Sequence, residues 1–159
     1  MVKLIRSLGY HVPIPLMAYD PITYWRDRGE RYERDFVRSA KYDDQEAAII
    51  GLLGQLKFAT VLEVGCGFGR IGELIVRFFP DVAYTAVEIS PDMLRSARRK
   101  VPNGDFIAEN IMDFEPGRTW DLVVAAEMLM HLRPAEIEPA VQKLRDLSPA
   151  PGALIARTT

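Results

Sequence analysis

Residues 60–69 have the sequence TVLEVGCGFG, in which a short apolar run leads into a turn with glycine at every second position. The run from Thr60 to Val64 is rich in β-branched and aliphatic residues, as expected for a strand that helices cover on both faces. Residues 70–79 then place apolar side chains at helical spacing. The stretch therefore predicts a strand, a glycine turn and a helix in that order, an arrangement with which α/β proteins build nucleotide pockets.

The spacing of the glycines helps to choose the ligand. A dinucleotide fingerprint, Gly-x-Gly-x-x-Gly, opens directly after its strand. Counted from Gly65, the pattern requires a third glycine where Arg70 stands; counted from Gly67 it is complete, but two residues then separate it from the strand. Glu63, at the end of the strand, would repel a pyrophosphate and suits a ligand that carries an ammonium group. A dinucleotide site is disfavoured and stays open as an alternative.

Taken whole, the pattern acid-x-Gly-x-Gly-x-Gly resembles motif I of the class I methyltransferases that use S-adenosylmethionine (SAM). The resemblance implies that the turn lies against the methionine part of SAM and that the cofactor contacts Glu63, Gly65, Gly67 and Gly69. A second predicted strand, residues 81–88, ends in Glu88, whose carboxylate can accept hydrogen bonds from both ribose hydroxyls. Glu88 supports an adenosine ligand without distinguishing SAM from a nicotinamide dinucleotide.

Further motifs follow in the order of the same family. Residues 89–94, ISPDML, resemble the stretch in which a methionine packs on the adenine, with Ser90 as helix N-cap and Pro91 at the first helical position. An ordinary core position is the alternative for Met93. A third strand is predicted at residues 105–111, and the family usually has Asp at the place of Asn110, whose amide oxygen can still accept a bond from the adenine amino group. The resemblance thus adds to the cofactor site Ile89, Met93, Asn110 and Ile111.

The remaining motifs predict the fold. Residues 120–132 resemble motif IV, a fourth strand with a short turn, and residues 151–157 resemble a glycine-led fifth strand. The family sheet has seven strands in the order 3-2-1-4-5-7-6, but strands six and seven have no counterpart here, so the sequence is either truncated or a minimal form. We expect an α/β, Rossmann-like, three-layer α-β-α sandwich with a mainly parallel sheet of about five strands. The apolar edge of the fifth strand should be shielded, by a second subunit in a homodimer or by residues 2–16.

The N-terminal region, residues 1–42, is predicted to be a segment and cap helix beside the SAM-binding domain of residues 43–159. Residues 1–15 suggest irregular or weakly extended chain, residues 21–38 a helix and residues 43–56 a second helix. In the family that the chain resembles, such helices cover the cofactor pocket. The candidates for contact with SAM, through an aromatic face or an arginine, are Tyr24, Trp25, Arg28 and Tyr32. Ordinary helix packing is the alternative for each.

Global composition limits the possible partners. The chain has 159 residues, 48% hydrophobic composition and a net charge of -2, so one core is expected and no electrostatic footprint for nucleic acid is present. No apolar run is long enough for a membrane span, and no signal peptide or metal-ligand pattern is visible. The single cysteine, Cys66, excludes an internal disulfide. The sequence thus predicts a cytoplasmic protein without a metal, nucleic-acid or membrane partner.

The resemblance implies a mechanism. Methyl transfer from SAM, which leaves S-adenosylhomocysteine, is an in-line displacement that depends on positioning the nucleophile. At the end of the fourth strand, His131 and Glu127 are candidates for a general base if that nucleophile is a hydroxyl. A structural role is the alternative for His131, and a contact with the cofactor or the substrate cavity is the alternative for Glu127. The leading hypothesis is an enzyme that methylates a small molecule at oxygen or nitrogen. A catalytically silent SAM-binding or dimerisation module and an NAD-dependent dehydrogenase are the alternatives.

Overall fold

The fold is a parallel sheet with helices on both faces. This computed structural model describes residues 5–6, 20–26, 32–33 and 43–158. The strands are β1 (Ile5–Arg6), β2 (Thr60–Val64), β3 (Ala83–Glu88), β4 (Asp105–Ala108), β5 (Leu122–Ala126) and β6 (Ala153–Thr158). The helices are α1 (Pro21–Arg26), α2 (Asp43–Leu53), α3 (Arg70–Phe78), α4 (Pro91–Lys100) and α5 (Pro134–Leu147), with a short 3-10 helix at Leu129–His131. The order in the sheet is β1-β6-β5-β2-β3-β4, and every pair is parallel.

Two apolar layers enclose the sheet because successive side chains of each strand point to opposite faces. In β2, Val61 belongs to the core formed with α2, α3 and α4, whereas Leu62 belongs to the core formed with α5. The first core also contains Ile49, Leu53, Ile71, Ile75, Leu94 and Ala97. The second contains Phe114, Trp120, Ala140, Leu144 and Leu147. This arrangement confirms the predicted three-layer α-β-α sandwich.

The topology determines where a ligand can bind. Strand β2 lies between β3 and β5, with Val64 opposite Val87 and Glu63 opposite Val124. The chain runs from β2 outwards in one direction and then returns to build the other half, so β2 marks the switch point of the sheet. Open α/β sheets bind ligands outside the carboxyl ends of the strands at this point. Glu88 is the last residue of β3, the glycine turn follows β2 and Glu127 follows β5, so all three lie at these strand ends.

The edge next to β6 is partly covered by the N-terminal segment. Ile5 lies opposite Arg157, and Arg6 lies opposite Thr158. For these two residues the structure confirms that the segment within residues 2–16 reaches the exposed edge, and it adds a sixth strand to the five that were expected. The rest of the irregular segment predicted for residues 1–15 lies outside the described residues, and a homodimer at this edge stays a prediction.

Several boundaries differ from the sequence-based expectation. The predicted helix at residues 43–56 ends at Leu53, because the amides of Gln55 and Leu56 donate to carbonyl groups three residues back and tighten the last turn. The third strand ends at Ala108 and not at 111, since the Asn110 side chain accepts a bond from the Met112 amide and turns the chain. Of the helix predicted over residues 21–38, Pro21–Arg26 is confirmed, and Tyr32 and Glu33 are also helical. The rest, including Arg28, lies outside the described residues. Helix α5 was not predicted.

In the part of the chain that the structure describes, none of the helices combines the length and apolar character needed to cross a bilayer.

Close packing of α3 on β3 leads to a stability test. A Cβ at Gly72 would lie 2.7 Å from Tyr84 Cζ and 3.1 Å from Glu63 Oε2. We expect Gly72→Ala to lower the free energy of unfolding by about 1 to 3 kcal/mol, because overpacking displaces these buried side chains. The matched control is Gly51→Ala in α2, where a Cβ meets nothing within 4 Å and should stabilise the protein by about 0.5 to 1 kcal/mol. Urea denaturation that gives the two variants the same stability would contradict this account.

Candidate functional site

The glycine turn between β2 and α3 has a left-handed backbone. The φ angles are 70° at Gly65, 54° at Gly67 and 82° at Gly69. Space is restricted as well, because a Cβ at Gly65 would lie 2.6 Å from Met128 Cγ, and one at Gly69 would lie 2.8 Å from Ala97 Cα. Glycine is therefore required both for the torsion and for the close approach of α4 and of the segment after β5.

Glu88 holds the turn in place from the end of β3. One oxygen of its carboxylate accepts a bond of 3.0 Å from the Gly67 amide, and the other accepts one of 2.9 Å from the Ser90 amide. The side chain is buried, and burial raises its pKa although these backbone bonds act in the opposite direction. Each carboxylate oxygen has a second lone pair, so Glu88 can fix the turn and still accept bonds from a ligand.

The other predicted adenosine residues surround the turn. The Ser90 hydroxyl accepts a 3.4 Å bond from the Met93 amide, which confirms the N-cap of α4. Met93 is only 2% exposed, and its sulfur would lie 3.4 Å from a Cβ at Gly67. Within the protein, Met93 therefore packs as a core residue. Asn110 Oδ1 accepts a 3.1 Å bond from the Met112 amide. Of the two isoleucines, Ile111 is buried in the α5 core and Ile89 is half-buried.

Glu63 lies beneath the turn and not in an open cleft. The Tyr84 hydroxyl donates a 2.6 Å bond to its Oε2, and the side chain is 2% exposed. Burial raises the pKa of Glu63 to about 7. The predicted contact between Glu63 and the cofactor is not tested by this geometry and stays a prediction.

Glu127 follows β5 with a strained backbone. Its φ of 64° is unusual for a residue with a side chain, and such strain persists where the surroundings enforce it, often at ligand sites. Its carboxylate accepts a 2.9 Å bond from the Gln45 amide nitrogen. The Gln45 oxygen in turn accepts a 3.0 Å bond from Arg70, which is also 2.8 Å from Glu46. This network of α2, α3 and the segment after β5 was not predicted, because its members are far apart in the chain.

An aromatic cluster places the N-terminal cap over the turn. The Trp25 ring packs edge-on against three other rings, with centroid distances of 5.0 Å to Tyr24, 5.1 Å to Tyr32 and 4.5 Å to His131. Tyr32 lies 6.3 Å from Phe68 of the glycine turn, centroid to centroid. Three of the four residues proposed to reach the pocket therefore lie together, between the turn and the end of β5.

The cap is also tied to α4 by charge. Glu33 lies 3.1 Å from Lys100 Nζ, and the same ammonium lies 4.1 Å from the centroid of the Phe68 ring. The lysine thus joins the cap, α4 and the glycine turn.

His131 is a weak base in this setting. Burial lowers its pKa to about 4, so the imidazole is neutral at neutral pH. Its ring lies against Trp25, which favours the structural alternative without excluding a contact with substrate.

One groove at the surface is lined by none of the predicted site residues. It has a volume of about 670 Å³ and lies between residues 112–119 and α5. Among the described residues, no three His, Cys, Asp or Glu side chains lie together as metal ligands would.

Fold and site define this chain as an α/β protein in which a left-handed glycine turn and a buried carboxylate meet at the switch point of a parallel sheet. A family described as "Methyltransferase domain" matches residues 61–150, more than half of the chain. The chain belongs to this methyltransferase domain family.

Similar proteins include two curated bacterial enzymes. One is a trans-aconitate 2-methyltransferase of Rhodopseudomonas palustris (strain BisB18), 43% identical over 101 residues, which are 64% of this chain and 34% of the relative. The other is malonyl-[acyl-carrier protein] O-methyltransferase 1 of Ilyobacter polytropus, 32% identical over 106 residues, which are 59% of this chain and 40% of the relative. The matches thus span well under half the length of either relative.

Among solved structures, the chain is similar to SAM-bound CalS10, an amino pentose methyltransferase from Micromonospora echinaspora. The identity is 27% and the TM-score 0.67, over 77% of this chain and 53% of that protein.

The buried Glu63 leads to a test of pH dependence. Its pKa of about 7 in the folded protein lies above its ordinary 4.5, so its contribution to stability is complete below pH 4.5 and is lost as the pH rises through 7. The difference corresponds to a loss on the order of 3 kcal/mol. Glu63→Gln keeps an acceptor for Tyr84 without the charge, so its stability relative to wild type should rise between pH 5 and pH 8.

Urea denaturation at four pH values in this range measures the effect. Glu73→Gln, on the exposed face of α3, is the control and should follow wild type. A Glu63→Gln variant whose stability runs parallel to wild type at every pH would show that the carboxyl does not titrate in this range.

Proposed function

We propose that this chain is a SAM-dependent methyltransferase that acts on a small molecule and leaves S-adenosylhomocysteine. The observation that carries the proposal is the Glu88 carboxylate, which is fixed between the amides of Gly67 and Ser90 at the switch point of the sheet. A carboxylate held there can accept bonds from a ribose diol. Membership of the methyltransferase domain family supports the choice of SAM over other adenosine ligands.

The hydrogen bonds of the turn also disfavour a dinucleotide. A pyrophosphate is normally bound by the amides of such a turn. Here Gly65 donates to Val87 O, Gly67 to Glu88 and Gly69 to Cys66 O. All three glycine amides therefore already have acceptors. The acceptor of the Gly67 amide is a carboxylate, which would repel a phosphate. The residues present fit a cationic cofactor without phosphates.

Four groups would hold the cofactor. Glu88 would accept bonds from the ribose. Asn110 Oδ1 accepts one bond from the Met112 amide and has a second lone pair, with which it would accept a bond from the adenine amino group. The glycine turn would contact the methionine part. The aromatic cap, with Trp25 at its centre, would exclude water from the reacting centre. When bound, SAM supplies an electrophilic methyl group on a cationic sulfur.

The low pKa of His131 helps to decide which kind of acceptor group the site suits. A hydroxyl acceptor benefits from a general base with a pKa near the working pH, and His131, with a pKa of about 4, is far below it. A carboxylate arrives already deprotonated and needs only to be positioned. We therefore favour a carboxylic acid acceptor, methylated at oxygen. The names of the two curated relatives agree with this chemistry, whereas the amino pentose methyltransferase favours nitrogen as the second choice.

The cofactor proposal is tested by calorimetry with S-adenosylhomocysteine. We expect Glu88→Ala to weaken its binding roughly 10- to 100-fold, because a buried charged acceptor contributes about 1.5 to 3 kcal/mol. Glu73→Ala, an exposed acid in α3, is the control and should bind like wild type. Glu88→Gln retains an acceptor and covers the case in which the alanine variant does not fold.

Unchanged affinity in a folded Glu88→Ala protein would show that the cofactor lies elsewhere. NAD binding with higher affinity than S-adenosylhomocysteine would favour the dehydrogenase. Conversion of SAM to S-adenosylhomocysteine in the presence of small molecules from a cell extract separates an enzyme from a catalytically silent SAM-binding module.

The role of His131 has its own test. His131→Phe keeps an aromatic ring against Trp25 and removes the imidazole. If the acceptor is a carboxylate, we expect the rate of S-adenosylhomocysteine formation to fall less than tenfold, since general-base catalysis typically contributes 10²- to 10⁴-fold. A loss above 100-fold, with unchanged cofactor affinity, would assign His131 as the base. Glu127→Gln, which keeps the bond from Gln45, is the parallel variant for the second candidate.

A further inference from the structure

The indole nitrogen of Trp25 is a buried hydrogen-bond donor without an acceptor in the described part of the chain. Buried donors are nearly always bonded, and a donor left unbonded in a native protein calls for an explanation. Its location supplies one. The ring packs against His131 after β5 and against Tyr32, which lies beside Phe68 of the glycine turn. The unused donor therefore lies between the glycine turn and the segment after β5, which together form the candidate site.

We propose that the Trp25 N–H donates a hydrogen bond to a carboxylate oxygen of the bound small molecule, so that Trp25 is a positioning and specificity-determining residue. This inference rests on the proposed function. An indole N–H can only donate, which excludes the ammonium and sulfonium groups of the cofactor as its partners. A carboxylate is the acceptor that makes the strongest bond with a donor shielded from water.

Two molecules carry such a carboxylate. One is the amino-acid end of the cofactor, which would approach Trp25 from the side of Tyr32 and the glycine turn. The other is an acid acceptor, which would approach from the side of His131 and the end of β5. The same bond would orient either molecule, and the test below separates the two sources.

The second tryptophan is a matched control. The chain has two tryptophans, and Trp120 donates its indole N–H to Thr85 Oγ1 at 3.3 Å within the α5 core. Trp120 thus has an internal partner, whereas the indole nitrogen of Trp25 has none among the residues that the structure describes. A ligand that bonds to Trp25 should alter one indole signal and leave the other in place.

The experiment records the two ¹⁵N-labelled indole signals of the wild-type protein by NMR. Three additions are compared: S-adenosylhomocysteine, methylthioadenosine, which lacks the amino-acid end, and trans-aconitate added to protein saturated with S-adenosylhomocysteine. A downfield shift of the Trp25 signal with S-adenosylhomocysteine but not with methylthioadenosine assigns the bond to the cofactor carboxylate. A shift that requires trans-aconitate assigns it to the acceptor carboxylate.

The backbone amide signals of Gly65 and Gly67 report cofactor binding in the same spectra. If these amides shift while the Trp25 indole is unmoved by all three additions, the inference is wrong and the proposed function stands. If the glycine amides do not respond to S-adenosylhomocysteine, the proposed function is wrong and the inference falls with it.

Trp25→Phe and Trp120→Phe complete the test by calorimetry. Trp25→Phe should weaken binding of the carboxylate ligand roughly tenfold and leave methylthioadenosine unchanged, since a bond to a charged group is lost. Trp120→Phe should lower stability and leave both affinities unchanged. Equal affinity of wild type and Trp25→Phe for the carboxylate ligand would overturn the proposal, and the indole spectra decide the matter if Trp25→Phe does not fold.

Discussion

The hydrogen bond from the Gly67 amide to the Glu88 carboxylate is the interaction on which the site depends. It joins the left-handed turn after β2 to the end of β3, and Glu88 also holds the Ser90 amide at the start of α4. A buried carboxylate is stable only with such partners, so the turn and the acid stabilise each other. The amides of Gly65, Gly67 and Gly69 all have acceptors within the protein, so none of them has its hydrogen directed at a phosphate. The contact between Gly67 and Glu88 thereby fixes the turn and places a buried carboxylate beside it.

Buried acids determine the electrostatics of this end of the sheet. Glu63 and Glu88 are both buried next to the turn, Glu63 by its place in the chain and Glu88 by its bond from Gly67, and burial raises the pKa of each. Arg70 reaches the same region, but it is paired with Glu46 and bonded to Gln45. A cationic ligand suits such surroundings better than an anionic one. The carboxylate of an acid acceptor or of the cofactor itself would then need neutral donors, which is the role that Trp25 can fill.

Under the proposed function, the cap determines what shares the pocket with the cofactor. Its aromatic rings connect Phe68 of the turn with His131 after β5, and Glu33 connects the cap to Lys100 of α4. If the chain acts as proposed, its substrate specificity comes from residues of the cap and of the segment after β5. These parts depend least on the strand, turn and helix pattern, so related proteins with the same sheet can differ in their acceptors.

The order of the five main strands was implied by the family resemblance, whereas the residues themselves predicted the strand, glycine turn and helix at residues 60–78, the acid at Glu88 and the N-cap at Ser90. These are local signals, since positive torsions need glycine and a buried parallel strand needs a continuous apolar run. Helix α5 went unpredicted although Ala140, Leu144 and Leu147 have helical spacing, because Pro139 interrupts the pattern. Only the tertiary structure decided that β1 pairs with β6, that Gln45 links Glu127 to Arg70, and that Trp25 lies against His131 with an unused donor. Each of these contacts joins residues more than twenty positions apart in the chain. No local sequence pattern reveals them, because they form only once the sheet has brought the strand ends together.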